Sequence, residues 1–113
     1  MLASLLNETG EWPEARALYE RALAIKEKTL GPEHPSVALS LNNLGVALRN
    51  MGRYAEAIAA YERALAIWER TLGPDHPRLA TALTNLGEAR CDAGDDLGAI
   101  PLFERALALR QKA

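Results

Sequence analysis

The chain predicts an all-α fold, an α-solenoid of stacked helix-turn-helix repeats, and three observations carry that expectation. The first is a fixed period. Tyr61-Glu62-Arg63-Ala64-Leu65-Ala66 returns 42 residues earlier as Tyr19-Glu20-Arg21-Ala22-Leu23-Ala24, and 42 later as Phe103-Glu104-Arg105-Ala106-Leu107-Ala108. The connector Leu30-Gly31-Pro32-Glu33-His34-Pro35 returns at the same offset as Leu72-Gly73-Pro74-Asp75-His76-Pro77. Such long periods mark arrays whose units bury their apolar faces on one another rather than around one central core. The second is the three- and four-residue spacing of apolar positions inside each unit, which is the helical pattern. The third is composition. Hydrophobic residues make up 49% but aromatics only 5%, which suits closely packed, Ala-rich helices better than a sheet sandwich. A single array over 1–113 is expected, divided into a partial repeat 1–34 and repeats 35–76 and 77–113.

By the repeat offset, Leu2 takes the place of Leu44 and Gly10 that of Gly52. The first unit therefore lacks the front half of its leading helix. Arrays normally end in modified capping units with a polar outer face, so a piece cut from a longer array is expected. Trp12 to Thr29 follows as a helix, with Pro13 near its start, where a missing N–H costs little. Ala15, Leu18, Tyr19, Ala22 and Leu23 form its apolar stripe. Gly31 ends it and Pro32 prevents its continuation.

Pro35 opens the next helix, which runs to about Asn50 with a stripe of Leu41, Leu44, Leu48 and Met51. Gly45 interrupts it at a cost of ~1 kcal/mol relative to Ala. Close approach of a neighbouring helix is the expected return. Met51-Gly52-Arg53 forms a tight turn. Tyr54, Ala57, Ile58, Tyr61, Ala64, Leu65 and Trp68 then line one face of a helix reaching about Thr71, small residues alternating with large ones as interdigitation requires. In the third unit, Pro77 to Lys112, Leu83, Leu86 and Gly87 keep the pattern. Arg90 replaces Leu48, Asp96 replaces Tyr54 and Gly98 replaces Glu56. Asp95 or Asp96 is the expected N-cap of the last helix. Pro101 removes one backbone hydrogen bond there, so local fraying or a bend is expected. No further helix follows to cover Phe103 and Leu107.

The charges exclude several function classes. Thirteen basic and fifteen acidic residues are mixed along the chain, with a net charge of −2. There is no basic stripe of the kind that phosphate contacts require, so no nucleic-acid partner is expected. No stretch approaches the ~20 apolar residues that span a bilayer, and Met1 to Gly10 lacks the basic and apolar regions of a signal peptide. No membrane partner is expected, and the expected location is cytoplasmic. Cys91, alone, can form no internal disulfide and fits a reducing compartment.

The hairpin resembles the tetratricopeptide repeat, whose signature W-x2-L-G-x2-Y…A-x3-F…P is matched by Leu41-x2-Leu44-Gly45-x2-Leu48, Ala57-x3-Tyr61 and Ala64. Leu83, Leu86, Gly87, Ala99, Phe103 and Ala106 match it again. Leu2, Ala3, Leu6, Ala15, Tyr19 and Ala22 are what remains of it in the first copy. The usual period is 34 residues. The longer second helix and the LGP[ED]HP connector make this chain most similar to the kinesin light chain type. The resemblance implies a right-handed superhelix whose leading helices line a concave groove, and a protein or peptide partner held there as an extended or helical segment. No residue constellation supports catalysis or a cofactor, so neither is expected unless a neighbouring domain carries the chemistry, and the expected parent is a larger signalling or adaptor protein. Carried over position by position, the groove should present Leu39, Asn42, Asn43, Val46, Arg49 and Asn50, then Thr81, Thr84, Asn85, Glu88 and Asp92. Asn43 and Asn85 take the slot that hydrogen-bonds a ligand backbone in many members, a task suited to an amide because it both donates and accepts. They are equally readable as polar helix surface or as a bond to the adjacent repeat. The cationic slots of the family's carboxylate clamp hold Leu39, Asn42, Thr81 and Asn85, which argues against a chaperone-tail ligand. Arg49 alone is placed to meet an acidic group.

Other candidate chemistry is thin. His34 and His76 lie at equivalent connector positions one repeat apart and lack zinc-ligand spacing. Helix capping or solvent exposure is the expected role, and no metal site is expected. Cys91 has Asp92 beside it, which opposes the thiolate that a nucleophile needs. The Glu-Arg pairs at 20–21, 62–63, 69–70 and 104–105 read as charges on an exposed face rather than an acid–base pair, which needs a shared pocket. Tyr19, Tyr61 and Phe103 read as packing residues. Two function classes result: a scaffold that binds a peptide in its groove, or a module that forms homo-oligomers end to end through exposed terminal helix faces.

Overall fold

A computed structural model describes residues 12–112. Five helices follow one another: α1 (Trp12–Leu30), α2 (Pro35–Asn50), α3 (Tyr54–Leu72), α4 (Arg78–Asp92) and α5 (Asp96–Lys112). Each packs on its neighbour in sequence, and α2 also touches α4. Two hairpins, α2–α3 and α4–α5, are thereby stacked beside α1, and the fold is an all-α helical repeat array. The incomplete leading helix expected over 2–8 lies outside the described residues.

The connectors set the geometry of the array. Gly31 and Gly73 close the long helices at φ +95° and +92°, in the left-handed region that Gly enters without a Cβ penalty. Pro35 then sits at the head of α2, and the side chain of His34 caps it: Nδ1 accepts from Ser36 N–H at 3.0 Å. His76 repeats the device, accepting from Arg78 N–H at 3.1 Å. Of the two roles expected of the histidines, helix capping or solvent exposure, both play the first, and His34 is exposed as well.

Trp68, Tyr61, Ile67, Leu79, Leu83 and Val37 are the largest fully buried side chains. They lie on α2, α3 and α4, the helices with neighbours on the most sides. Leu41, Leu44 and Leu48 of the α2 stripe are buried as expected and Met51, at its C-cap, is half-buried, but Val37, Ala38, Ser40, Asn42 and Ala47 are buried too. A helix packed against α1, α3 and α4 at once has little surface left for solvent, which a single stripe does not convey. Ala57 and Ala64 are fully buried, and Tyr61 and Trp68, which alternate with them along α3, are buried too, so small and large positions share one packed face. At Gly45 an added Cβ would lie 2.5 Å from Tyr61 Cε1, and at Gly87 one would lie 2.7 Å from Phe103 Cε1. The glycine in each leading helix is the seat of the aromatic ring on the helix that follows.

In α5, Asp95 is the N-cap, its Oδ1 accepting from Gly98 N–H at 2.9 Å. Gly98 leaves room for that carboxylate, which a Cβ would strike. The helix is continuous through Pro101, so the expected fraying does not break it. The carbonyl left without a donor is that of Leu97, a residue 82% exposed, and water can serve it. No helix among the described residues is long and apolar enough to cross a membrane.

Candidate peptide-binding face

The candidate residues are brought together on two helices, α2 and α4, which touch directly. Between them runs a polar seam. Asn85 Nδ2 donates to Asn42 Oδ1 at 3.1 Å. Two turns further along α2, Arg49 reaches across to Glu88, with Nη1 to Oε1 at 3.3 Å, and its Nε donates to Asp92. The Asp92 hydrogen bond chiefly holds the Arg49 guanidinium pKa above its ordinary value, against the opposing effect of burial.

This seam separates residues that sequence reasoning placed in one class. Asn42 is buried and spends its carbonyl oxygen on the next repeat. Arg49, expected to meet an acidic ligand, has its charge countered within the chain by Glu88 and Asp92. Asn50 Nδ2 donates to Val46 O at 2.8 Å, and Thr84 Oγ1 donates to Ala80 O at 2.8 Å. Thr84 also accepts from Arg110 at 3.1 Å. Asn43 is half-buried, and its amide bonds to no described residue. Asn85 retains its own carbonyl oxygen. Val46 is half-buried, and Leu39 and Thr81 are exposed. Leu39, Asn43, Val46, Thr81 and the free side of Asn85 are thus the candidate residues that show no side-chain bond within the described residues beyond the Asn42–Asn85 contact.

The Glu-Arg pairs do more than decorate a surface. Arg63 pairs with Glu27 at 2.5 Å and also donates to Pro32 O. One period later Arg105 pairs with Glu69 at 2.7 Å and donates to Pro74 O. Arg16 reaches Glu56 at 2.9 Å, and Arg90 reaches Glu62 at 2.7 Å. Each bridges consecutive units. The signal was present in the recurrence of Glu27 as Glu69 and of Arg63 as Arg105, not in the adjacent dipeptides. Cys91 is exposed, and local desolvation together with Asp96, Asp92 and Asp95 holds its thiol above the ordinary pKa, the reverse of what activates a thiolate.

A family model of the tetratricopeptide repeat matches residues 1–49 and 37–112. The chain belongs to the tetratricopeptide repeat family. Among solved structures, nearly identical TPR-like repeats ascribed to a kinesin light chain of Podosopora anserina superpose with a TM-score of 0.90 at 33% identity, over 98% of this chain and 53% of that one. BtubC (BKLC) from P. vanneervenii superposes at 0.92 with 32% identity, over 99% of this chain and 44% of that one. The TPR domain of Arabidopsis FLU, at 19% identity and a TM-score of 0.85, shares the fold. The chain thus spans about half the length of the kinesin light chain-like structures it matches. The comparison with curated proteins yields no match. The repeats are therefore of the kinesin light chain-like type, and tetratricopeptide repeats are in general protein-interaction scaffolds, typically non-enzymatic.

Proposed function

We propose that this tetratricopeptide array is a non-enzymatic scaffold that holds an extended or helical segment of a partner protein along the α2–α4 face, as part of a larger cytoplasmic signalling or adaptor protein. The observation that carries the reading is the state of the two asparagines. Asn43 has an amide unspent on any described residue, and Asn85 keeps an acceptor, on adjacent helices one repeat apart. Paired amides at repeat spacing suit the N–H and C=O groups of a peptide backbone whatever its side chains. Binding strength would be the sum of several such contacts on a pre-ordered surface, which costs less ordering entropy than a mobile one.

A pull-down with the wild-type chain beside Asn43→Ala/Asn85→Ala tests this, with bound proteins identified by mass spectrometry. Asn42→Ala is the control, because it breaks the same Asn42–Asn85 bond while leaving Asn43 in place. A partner retained by wild type and by Asn42→Ala but lost from the folded double variant supports the reading; equal recovery by all three overturns it.

A second reading, homo-oligomerisation end to end, is favoured by the outer face of α5. Leu97, Ile100, Phe103 and Leu107 are 82%, 49%, 36% and 57% exposed, at helical spacing. Tyr61 and Leu65, the equivalents of Phe103 and Leu107, are buried on α3, which packs against α4. Light scattering over a dilution series tests it, and a monomer at every concentration would sink it for this chain.

A further inference from the structure

The last helix carries a second stripe besides the one that packs it on α4. Ala99, Ala106 and Leu109 are buried on its inner side. Asp96, Ile100, Phe103, Leu107 and Arg110 follow one another at alternating four- and three-residue spacing, the seam of a helix pair, and all five are exposed. In α3 the equivalent positions are Tyr54, Ile58, Tyr61, Leu65 and Trp68, and Tyr61, Leu65 and Trp68 are buried there. The centre of the stripe is thus kept while its ends change. An aromatic residue becomes Asp96 at one end and Arg110 at the other. The two charges stand about four turns, or ~21 Å, apart along the helix. Neither makes an ion pair among the described residues. Arg110 Nη2 donates to Thr84 Oγ1 at 3.1 Å, and its other N–H groups are unspent within the described residues.

Whatever covers this stripe must match its charges. A helix laid on α5 as α4 lies on α3 would bury Arg110 in the place of Trp68, which is 1% exposed, and an unpaired buried charge is costly. It would also miss an ion pair. Glu27 and Glu69, which receive Arg63 and Arg105 of the unit that follows, recur as Gln111. A second α5 running antiparallel to the first supplies a carboxylate for Arg110 and a cation for Asp96. With the two-fold axis at Phe103, Asp96 of each copy faces Arg110 of the other, and Ile100 of each lies beside Leu107 of the other. We propose that two copies of this chain form a closed, two-fold dimer through α5, with an apolar centre of Ile100, Phe103 and Leu107 and an Asp96–Arg110 pair at each end. The same patch serves both copies, so the contact closes at two and grows no further. The inference rests on the second reading above, that α5 meets another copy, and replaces an open file of arrays with a closed pair. One helix face buries less than the ~1,200 Å² at which stable interfaces begin, so the pair should come apart on dilution.

The test is sedimentation velocity from about 1 µM to about 1 mM, with helical content followed by circular dichroism. Wild type should pass from monomer to dimer with no larger species. Asp96→Arg sets like charges against each other at both ends, as does Arg110→Asp, and each should raise the dimer dissociation constant at least about tenfold. Both residues are exposed and Asp95 keeps the cap of α5, so the fold should survive either change. The deciding sample is an equimolar mixture of the two single variants. Opposite charges then face each other at both ends, and the dimer should return as a heterodimer. The double variant Asp96→Arg/Arg110→Asp, whose net charge is that of wild type, should dimerise as wild type does. A wild-type chain that stays monomeric throughout overturns this proposal and the second reading together. Species that grow beyond two copies, single reversals without effect, or a mixture no more associated than its components overturn the closed pair while leaving the second reading in place.

Discussion

Gly45 and Tyr61 show how one residue type is set by another. The ring of Tyr61 lies where a Cβ at position 45 would be, 2.5 Å away. Gly45→Ala gains up to ~1 kcal/mol of helix propensity but forces a buried ring, with fully buried neighbours, to move, at about 1–3 kcal/mol. Urea unfolding should show a net loss of stability. Gly87→Ala should lose less, because Phe103 is 36% exposed and its ring has solvent to yield into. Tyr61 also carries a pH signature. Burial pushes its phenol from 10.0 to about 12; Arg49 opposes that rise, and Glu88 and Asp92 reinforce it. Between those values the unfolded chain holds fewer protons than the folded one. The contribution is therefore complete below pH 10 and is lost as pH rises through about 12, at no more than ~1.4 kcal/mol per pH unit. Unfolding free energies measured from pH 8 upward should fall less steeply for Tyr61→Phe than for wild type.

At the scale of the element, α5 is the helix whose sequence and surroundings conflict most. It has a sound N-cap in Asp95, but Pro101 lies past the first turn, where the missing N–H would have bonded the carbonyl of Leu97. Its apolar residues are also the most exposed. Asp95→Ala should cost about 1 kcal/mol. Pro101→Ala should return about 1 kcal/mol or more by restoring the bond and relieving the ring. Thermal denaturation followed by circular dichroism reads both, and a stabilised Asp95→Ala would contradict the assigned cap. By contrast α3 alternates small and large residues and buries both. Helix propensity alone does not separate α3 from α5; the number of neighbours does.

At the scale of the whole molecule, an array is held by contacts between successive units, so its stability is distributed rather than uniform. The fully buried large side chains sit in α2, α3 and α4. Amide hydrogen exchange should be slowest there and fastest in α5. The ion pairs Arg63–Glu27 and Arg105–Glu69 repeat with the period and stitch unit to unit, but their side chains remain 33–39% exposed. A double-mutant cycle on Arg63 and Glu27 should return only about 0.2–1 kcal/mol of coupling, shrinking as salt is added. They define the register of stacking more than they stabilise it.

The sequence by itself determined the all-α class, the helix boundaries to within a residue or two, the turn residues and the family, and it narrowed the caps to Asp95 or Asp96 and to histidines that either cap or face solvent. Those features depend on local chemistry: glycine at a left-handed turn, histidine and aspartate side chains reaching back to a helix start, and apolar spacing that recurs every 42 residues. The tertiary structure alone decided which polar residues remain available. Asn42 and Asn43 are neighbours of one type, yet the first is turned into the seam with Asn85 and the second is not. Arg49 on α2 and Arg78 on α4 both carry a guanidinium, yet Glu88 and Asp92 counter the first while the second lies over the Trp68 ring, 5.7 Å from its centroid. Hydrogen-bond and ion-pair partners come from residues about one repeat away, and which of them is reached depends on how the helices cross, a geometry that no local pattern records.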